Sequence, residues 1–166
     1  FQLGIYAVRQ SVEDLRVEFG ALARKGGGII PAKAMRCFNL GGIVATPDGR
    51  WLLVSQGTTG RLWRIDLATQ EITPVDLGTT SIVNADGIVL RGHRLWVVQN
   101  FSRQITELNL DGHWSAASLV SVTPTPANRT FTTAKIAKGR LLIVDSQFGF
   151  APPFAAEDRV VVTQLP

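Results

Sequence analysis

The segment RWLLV at residues 50–54 decides the fold, because it recurs as RLWVV at residues 94–98 and as RLLIV at residues 140–144. Successive copies begin 44 and 46 residues apart, and each follows a glycine-containing turn that comes after another apolar segment. A period of about 40–50 residues built only from strands and turns is typical of β-propeller blades and not of helical solenoids. The sequence therefore predicts an all-β fold, a β-propeller segment of about three four-stranded blades.

Apolar segments between the turns predict the individual strands of these blades. They lie at residues 43–45, 51–55, 62–65, 72–75, 87–90, 95–99, 105–108, 117–120, 132–136, 141–145 and 159–163. The third strands of the first two blades, LWRI and ITEL, match at an offset of 43 residues. The first two strands of a blade are apolar on both faces, as in strands packed between neighbouring sheets, whereas alternation in the third predicts greater exposure.

Residues 1–36 are predicted to form a partial blade or an N-terminal extension before the blades at residues 37–166. Ser11 can cap a helix that the glycines at 26–28 would end, whereas alternating apolar residues at 15, 17 and 19 fit a hairpin. The hairpin continues the repeat, so the chain would begin halfway through a blade and its last strand would pair with N-terminal residues. Because a ring normally needs at least four blades, we expect a homo-oligomer of half-rings or the remainder of a longer, six-bladed propeller to close it.

Composition and charge exclude several classes of protein. With 45% hydrophobic and 18% charged residues among 166, the chain is expected to bury a core and not to be disordered. The net charge is +4, but lysine and arginine are scattered singly and lack the basic cluster of a nucleic-acid surface. No apolar run approaches the roughly 20 residues that span a bilayer, so neither nucleic acid nor a membrane is an expected partner. The single cysteine, Cys37, forms no internal disulfide, and the sequence leaves the cellular compartment open.

Polar residues precede two of the predicted inner strands. Asn39 lies shortly before the first, and Asn84 and Asp86 lie directly before the second. Because inner strands of a propeller begin at the central channel, these side chains can converge there, and their oxygens suit Ca²⁺ or Mg²⁺. Asparagine and aspartate also form side-chain-to-backbone hydrogen bonds in turns, so a structural role is the alternative.

Motifs assign no catalytic residue. His93 lies in a blade turn and His113 follows Asp111-Gly112, and neither belongs to a serine elbow or a His-x-x-x-His pair. Both are therefore predicted to be surface turn residues. The four tryptophans are predicted to pack in the core or between blades.

The inner-strand openings, together with WLLVSQGTTGRLWRIDLATQEITPVDLG at residues 51–78 and RLWVVQN at 94–100, resemble the gluconolactonase/regucalcin-like (senescence marker protein) family of six-bladed propellers. The resemblance covers residues 38–145. It implies hydrolysis of lactones or related esters around one divalent cation. The family holds that cation with a Glu from an early blade, an Asn before the Gly of one inner strand and an Asp before the Gly of the next.

Carried over to this chain, the family's Asp falls on Asp86 and its Asn falls on Gly41, two residues after Asn39. The resemblance thus implies a lactonase- or esterase-like propeller with a degenerate metal site. Asp86 and Asn39 would hold Ca²⁺ or another divalent cation, and Asn84 and Asn100 would contact a small lactone or ester. The alternative is a non-catalytic propeller that binds a partner or a small molecule at its channel mouth, which the missing Asn favours.

Overall fold

The computed structural model of the chain describes residues 40–146 and, for their backbone, residues 159–164. Strands and turns make up this described part, with no helix long and apolar enough to cross a bilayer. The partial blade or extension predicted at residues 1–36, with its helix-or-hairpin alternatives, lies outside the described residues, and so does Asn39.

Each of the eleven predicted strands is present among the described residues, most of them longer than predicted by a few residues. They are β1 (Leu40–Ala45), β2 (Trp51–Gln56), β3 (Arg61–Asp66), β4 (Ile72–Val75), β5 (Ala85–Arg91), β6 (Arg94–Gln99), β7 (Gln104–Leu110), β8 (Ala117–Pro124), β9 (Phe131–Ala137), β10 (Arg140–Asp145) and β11 (Arg159–Gln164).

The strands form three antiparallel sheets in which sequence neighbours pair with one another. The first sheet has the order β1-β2-β3-β4, the second has the order β5-β6-β7-β8, and the third has the order β9-β10-β11. Four-stranded meanders of this kind are propeller blades, so the predicted fold class is confirmed. The last strand, β11, pairs with β10. Its predicted pairing with N-terminal residues concerns a part of the chain outside the described residues.

Consecutive sheets pack face to face, with their first strands side by side. The first strand β1 contacts β5, and β5 contacts β9. One hydrophobic core fills the space between the first and second sheets, and its fully buried members are Leu53, Leu62, Ile82, Leu95, Val97, Leu108 and Leu110. A second core between the second and third sheets contains Trp96, Val98, Ile105, Phe131, Leu141 and Ile143. Burial of the second sheet between these two cores explains the continuous apolar run of β6.

The pairing of the second strands shows that the alignment of RWLLV at residues 50–54 with RLWVV at residues 94–98 is wrong by one residue. In the first sheet Trp51 pairs with Asp66, and in the second sheet Arg94 pairs with Asn109. Arg94 is therefore the counterpart of Trp51, not of Arg50 as the repeated RxxxV segment suggests. Because side chains alternate along a strand, a one-residue shift would turn every side chain to the opposite face. The offset of 43 seen in the third strands thus holds for this pair of second strands as well.

Two predictions about exposure are wrong. The third strand β3 is buried rather than exposed, because Leu62 (0% exposed) packs into the first core and Trp63 (5%) donates its indole N–H to Gln56 Oε1 at 3.0 Å. The first strand β1 is not buried on both faces. Ile43 is 36% exposed, since the described strands that chiefly contact β1 are β2 and β5.

The tryptophans pack as predicted. Trp63, Trp96 and Trp114 are buried, and Trp51 is half-buried against the first core. His93 and His113 are exposed in turns, also as predicted.

Candidate functional site

The first strand of every sheet carries the same β-bulge, in which two residues face one residue of the second strand. Gly41 and Gly42 face Ser55 between the pairs Leu40–Gln56 and Ile43–Val54. The corresponding residues are Asp86 and Gly87 facing Val98, and Thr132 and Thr133 facing Val144. A bulge re-aims side chains, and bulges often lie beside active sites. Gly41, Asp86 and Thr132 are thus equivalent positions in the three sheets.

In the first two sheets, main-chain contact leaves no space for a side chain on the second bulge residue, which is Gly42 or Gly87. A Cβ atom added to Gly87 would lie 2.5 Å from Thr133 Cα and 2.9 Å from the Thr132 carbonyl oxygen. In the neighbouring junction, Ser55 is fully buried, and its hydroxyl lies 3.2 Å from the carbonyl oxygen of Asp86. The starts of consecutive first strands are therefore held against each other.

We expect Gly87→Ala to lower the free energy of unfolding by about 2–3 kcal/mol, because the added methyl group meets main-chain atoms that no rotamer change can move. Gly112→Ala is the matched control, since a Cβ atom there meets nothing within 4 Å. Urea unfolding followed by circular dichroism would measure both variants. Equal stabilities for the two would contradict the close approach of β5 and β9.

Asp86 is a half-buried carboxylate at the bulge of β5. Its Oδ2 atom accepts a hydrogen bond of 3.1 Å from the Asn100 side-chain amide. Asn100 is itself oriented, because its Oδ1 atom accepts the Phe101 main-chain N–H at 2.7 Å. Burial raises the pKa of Asp86, and the Asn100 hydrogen bond opposes that rise. Asp86 is therefore a better proton acceptor than an ordinary surface carboxylate.

The raised pKa predicts how Asp86 affects stability. The folded chain binds the Asp86 proton more tightly than the unfolded chain, so this group costs stability as the pH rises from about 3.8 through the folded pKa. Asp86→Asn removes the titrating group and is expected to stabilise the chain at pH 7. Urea unfolding at pH 7 and pH 4 should show a gain that shrinks at the lower pH. A gain that is independent of pH would contradict this.

Asn84 holds the loop that leads into β5. It has a left-handed backbone (φ 62°), and its side-chain amide donates to Ser102 Oγ at 3.0 Å. Its main-chain N–H donates to the Gly57 carbonyl at 2.8 Å, and its own carbonyl accepts the Asn100 N–H at 3.2 Å. These contacts favour the turn-forming alternative for Asn84, while its contact with a substrate stays a prediction.

Sequence reasoning missed the buried polar residue that ends each second strand. Gln99 is 2% exposed, and its amide donates to the Val83 carbonyl at 2.7 Å. In the third sheet Asp145, fully buried, accepts hydrogen bonds from the Thr130 N–H at 3.1 Å and from Arg129 at 3.0 Å. A polar residue closing an apolar strand in every repeat was the available signal. These residues fix the loops that enter β5 and β9.

At Gly41, the position onto which the resemblance carries a metal-binding Asn, the main chain leaves no space for a side chain. A Cβ atom at this position would lie 2.7 Å from the carbonyl oxygen of Asp86 and 2.8 Å from that of Ala85. The main chain of β5 occupies the space that a side chain would need. An asparagine cannot be accommodated at this position unless β5 moves.

The described side chains do not fit a calcium site. No three His, Cys, Asp or Glu residues cluster as metal ligands among the residues that the structure describes. Asp86 has Asn100 as its described hydrogen-bond partner, whereas Ca²⁺ takes 6–8 oxygen ligands. The prediction that Asn39 joins Asp86 in holding a cation concerns a residue outside the described part.

A separate open groove of about 420 Å³ lies beside β4 and is lined by residues 60–61, 74–78 and 80. None of Asp86, Asn84 and Asn100 borders it. The candidate site is therefore assigned from the chemistry of its side chains at the bulge and not from the size of a cavity.

No known protein family and no curated protein matches the sequence. Solved structures do match. A candidate 6-phosphogluconolactonase from Bacteroides uniformis is 10% identical with a TM-score of 0.56, over 85% of this chain and 41% of that one. The β-propeller domain of Cps50 (Swd1) from Myceliophteria thermophila is 20% identical with a TM-score of 0.50, over 64% and 36%. Hydrazine synthase from Kuenenia stuttgartiensis is 17% identical with a TM-score of 0.50, over 71% and 33%.

These likenesses establish the fold, because identities of 10–20% carry no residue roles. The chain spans about a third to two fifths of the length of the structures it matches. It is a β-propeller segment, as the repeat predicts.

Proposed function

We propose that this chain contributes the reacting carboxylate of a lactonase-like propeller, which hydrolyses a lactone or a related ester. The observation that carries the proposal is Asp86, half-buried at the β5 bulge, hydrogen-bonded by Asn100 and raised in pKa by burial. A structural neighbour that is a candidate 6-phosphogluconolactonase adds support at the level of the fold. In this proposal a second copy of the chain, or further blades of a longer protein, completes the ring.

The proposed reaction uses Asp86 as a general base. Asp86 accepts a proton from water as the water oxygen bonds to the acyl carbon of the ester. The bond between the acyl carbon and the alkoxy oxygen then breaks, and the proton passes from Asp86 to that oxygen, giving a hydroxy acid from a lactone. Asn100 holds the carboxylate in a fixed orientation, which keeps the bound water in line for attack.

A hydrolysis assay tests this proposal. The wild-type protein with its ring completed, by a second copy or by further blades, is incubated with five- and six-membered lactones and with aryl esters, and acid release is followed with a pH indicator. The proposal expects turnover of at least one of these compounds and loss of that turnover in Asp86→Asn. Absence of turnover across the panel would refute it.

The second candidate is a non-catalytic propeller that binds a partner or a small molecule at its channel mouth. Two observations favour it: the main chain leaves no space for a side chain at Gly41, and no cluster of metal-ligating side chains surrounds Asp86 among the described residues. The hydrolysis assay separates the candidates, because the binding protein should turn over none of the compounds. Thermal unfolding with millimolar Ca²⁺, Mg²⁺ or Zn²⁺ tests the metal separately, and a shift that Asp86→Ala abolishes would mean that Asp86 binds a cation and is not the free general base.

A further inference from the structure

Thr132 occupies in the third sheet the position that Asp86 occupies in the second. Each is the first of two bulge residues at the start of the first strand of its sheet. Thr132 is half-buried, and its hydroxyl has no hydrogen-bond partner within residues 40–146. A half-buried hydroxyl without a partner among these residues is available to bond a ligand.

The first strands β5 and β9 are in contact at these bulges. The space beside Gly87 is closed by the Thr133 Cα atom and the Thr132 carbonyl, just as the space beside Gly42 is closed by the Asp86 carbonyl at 2.8 Å. The junction between the second and third sheets thus repeats the junction between the first and second. It brings the starts of β5 and β9, and with them Asp86 and Thr132, to the same edge.

The first sheet offers no comparable groups. The counterparts of Asp86 and Asn100 in that sheet are Gly41 and Gly57, which follow from the pairing of Leu40 with Gln56 and of Ala85 with Gln99. Neither glycine carries a side chain that could contact a ligand. Among the described residues, polar side chains at the bulge therefore come from the second and third sheets.

We propose that Thr132 is a further substrate-contacting residue of the Asp86 site and that its hydroxyl donates a hydrogen bond to the acyl oxygen of the bound lactone or ester. This inference rests on the proposed function. Negative charge develops on the acyl oxygen as Asp86 accepts the proton from water, and a donor aimed at that oxygen stabilises the transition state. Removing one such donor typically costs 10²–10³ in kcat.

The test compares Thr132→Val, which replaces the hydroxyl by a methyl group of similar size, with Thr132→Ser, which keeps the hydroxyl. We expect Thr132→Val to lower kcat about 10²–10³-fold and Thr132→Ser to stay near wild type. Thr123→Val, an exposed change on β8, is the control and is expected to keep full activity. Near-ultraviolet circular dichroism of each variant verifies that it is folded.

The outcomes separate this inference from the proposed function. Full activity of Thr132→Val alongside an inactive Asp86→Asn would overturn the role of Thr132 and leave the lactonase proposal standing. Absence of turnover by the wild-type chain would overturn both.

A cross-link tests the juxtaposition without any activity. In a Cys37→Ser background, the pair Asp86→Cys and Thr132→Cys is expected to form a disulfide under mild oxidation, which needs Cα atoms within about 7 Å. Mass spectrometry would detect it, and failure of the pair to link would also overturn the inference.

Discussion

Replacing Asp86 with asparagine is expected to lower kcat/KM for lactone or ester hydrolysis about 10²–10⁴-fold, the usual contribution of a general base. Asparagine keeps the shape of the side chain and can still accept the Asn100 hydrogen bond, but it cannot take a proton from water. Because the carboxylate must be ionised to act, wild-type kcat/KM should fall as the pH drops through the Asp86 pKa. Burial places that pKa above 3.8. Steady-state rates across pH measure both effects.

The matched control is Asp48→Asn. Asp48 lies in the turn between β1 and β2, at the opposite strand ends from Asp86, and it accepts hydrogen bonds from Thr46 Oγ1 and the Arg50 N–H. Asparagine can accept both bonds, so hydrolysis should continue at the wild-type rate. Equal loss of activity in the Asp48 and Asp86 variants would show that the loss is a general effect of removing a carboxylate. The general-base role would then be wrong.

Trp114→Ala is expected to lower the free energy of unfolding by about 3–5 kcal/mol, the range for removing a buried large aromatic side chain. Trp114 is 6% exposed and belongs to the core between the first and second sheets. Its ring stacks on His93 with a centroid distance of 4.5 Å. Because that core lies between the first and second sheets, the Trp114 side chain links the two blades. Urea unfolding followed by far-ultraviolet circular dichroism measures the loss.

Trp114→Phe provides the comparison for that variant. Phenylalanine fills much of the same volume and can still stack on His93, so it should lose clearly less stability than alanine. If Trp114→Ala lowers the free energy of unfolding by less than about 1 kcal/mol, well below the expected loss, then Trp114 does not join the blades.

The strands could be predicted from sequence because turn residues separate short apolar runs throughout the chain. Their register could not, because it depends on loop length. Five residues separate β1 from β2, whereas two separate β5 from β6. Arg50 therefore lies in a loop and Arg94 lies in a strand, although both begin the same sequence segment. Aligning the repeats by residue type makes Arg50 and Arg94 equivalent. The strand pairing in the two hairpins instead places them one position apart.

Only part of the candidate site could be predicted from the sequence. Asp86 could be singled out from the sequence because the repeat places it directly before an inner strand, and inner strands of a propeller begin at the central channel. Thr132 does not stand out, since a threonine in a strand is ordinary. Its equivalence to Asp86 depends on a bulge, which is a property of two paired strands. The blocked space at Gly41 is likewise visible only when the main chain of β5 is placed beside it.

Consecutive blades bring their first strands side by side at the bulges, and nuclear Overhauser spectroscopy of the full chain can detect this contact. We expect strong cross-peaks between the α-protons of Gly87 and Thr133 and between the α-protons of Gly42 and the amide proton of Ile88. Sheets that show their internal cross-strand peaks but lack both of these contacts would contradict it.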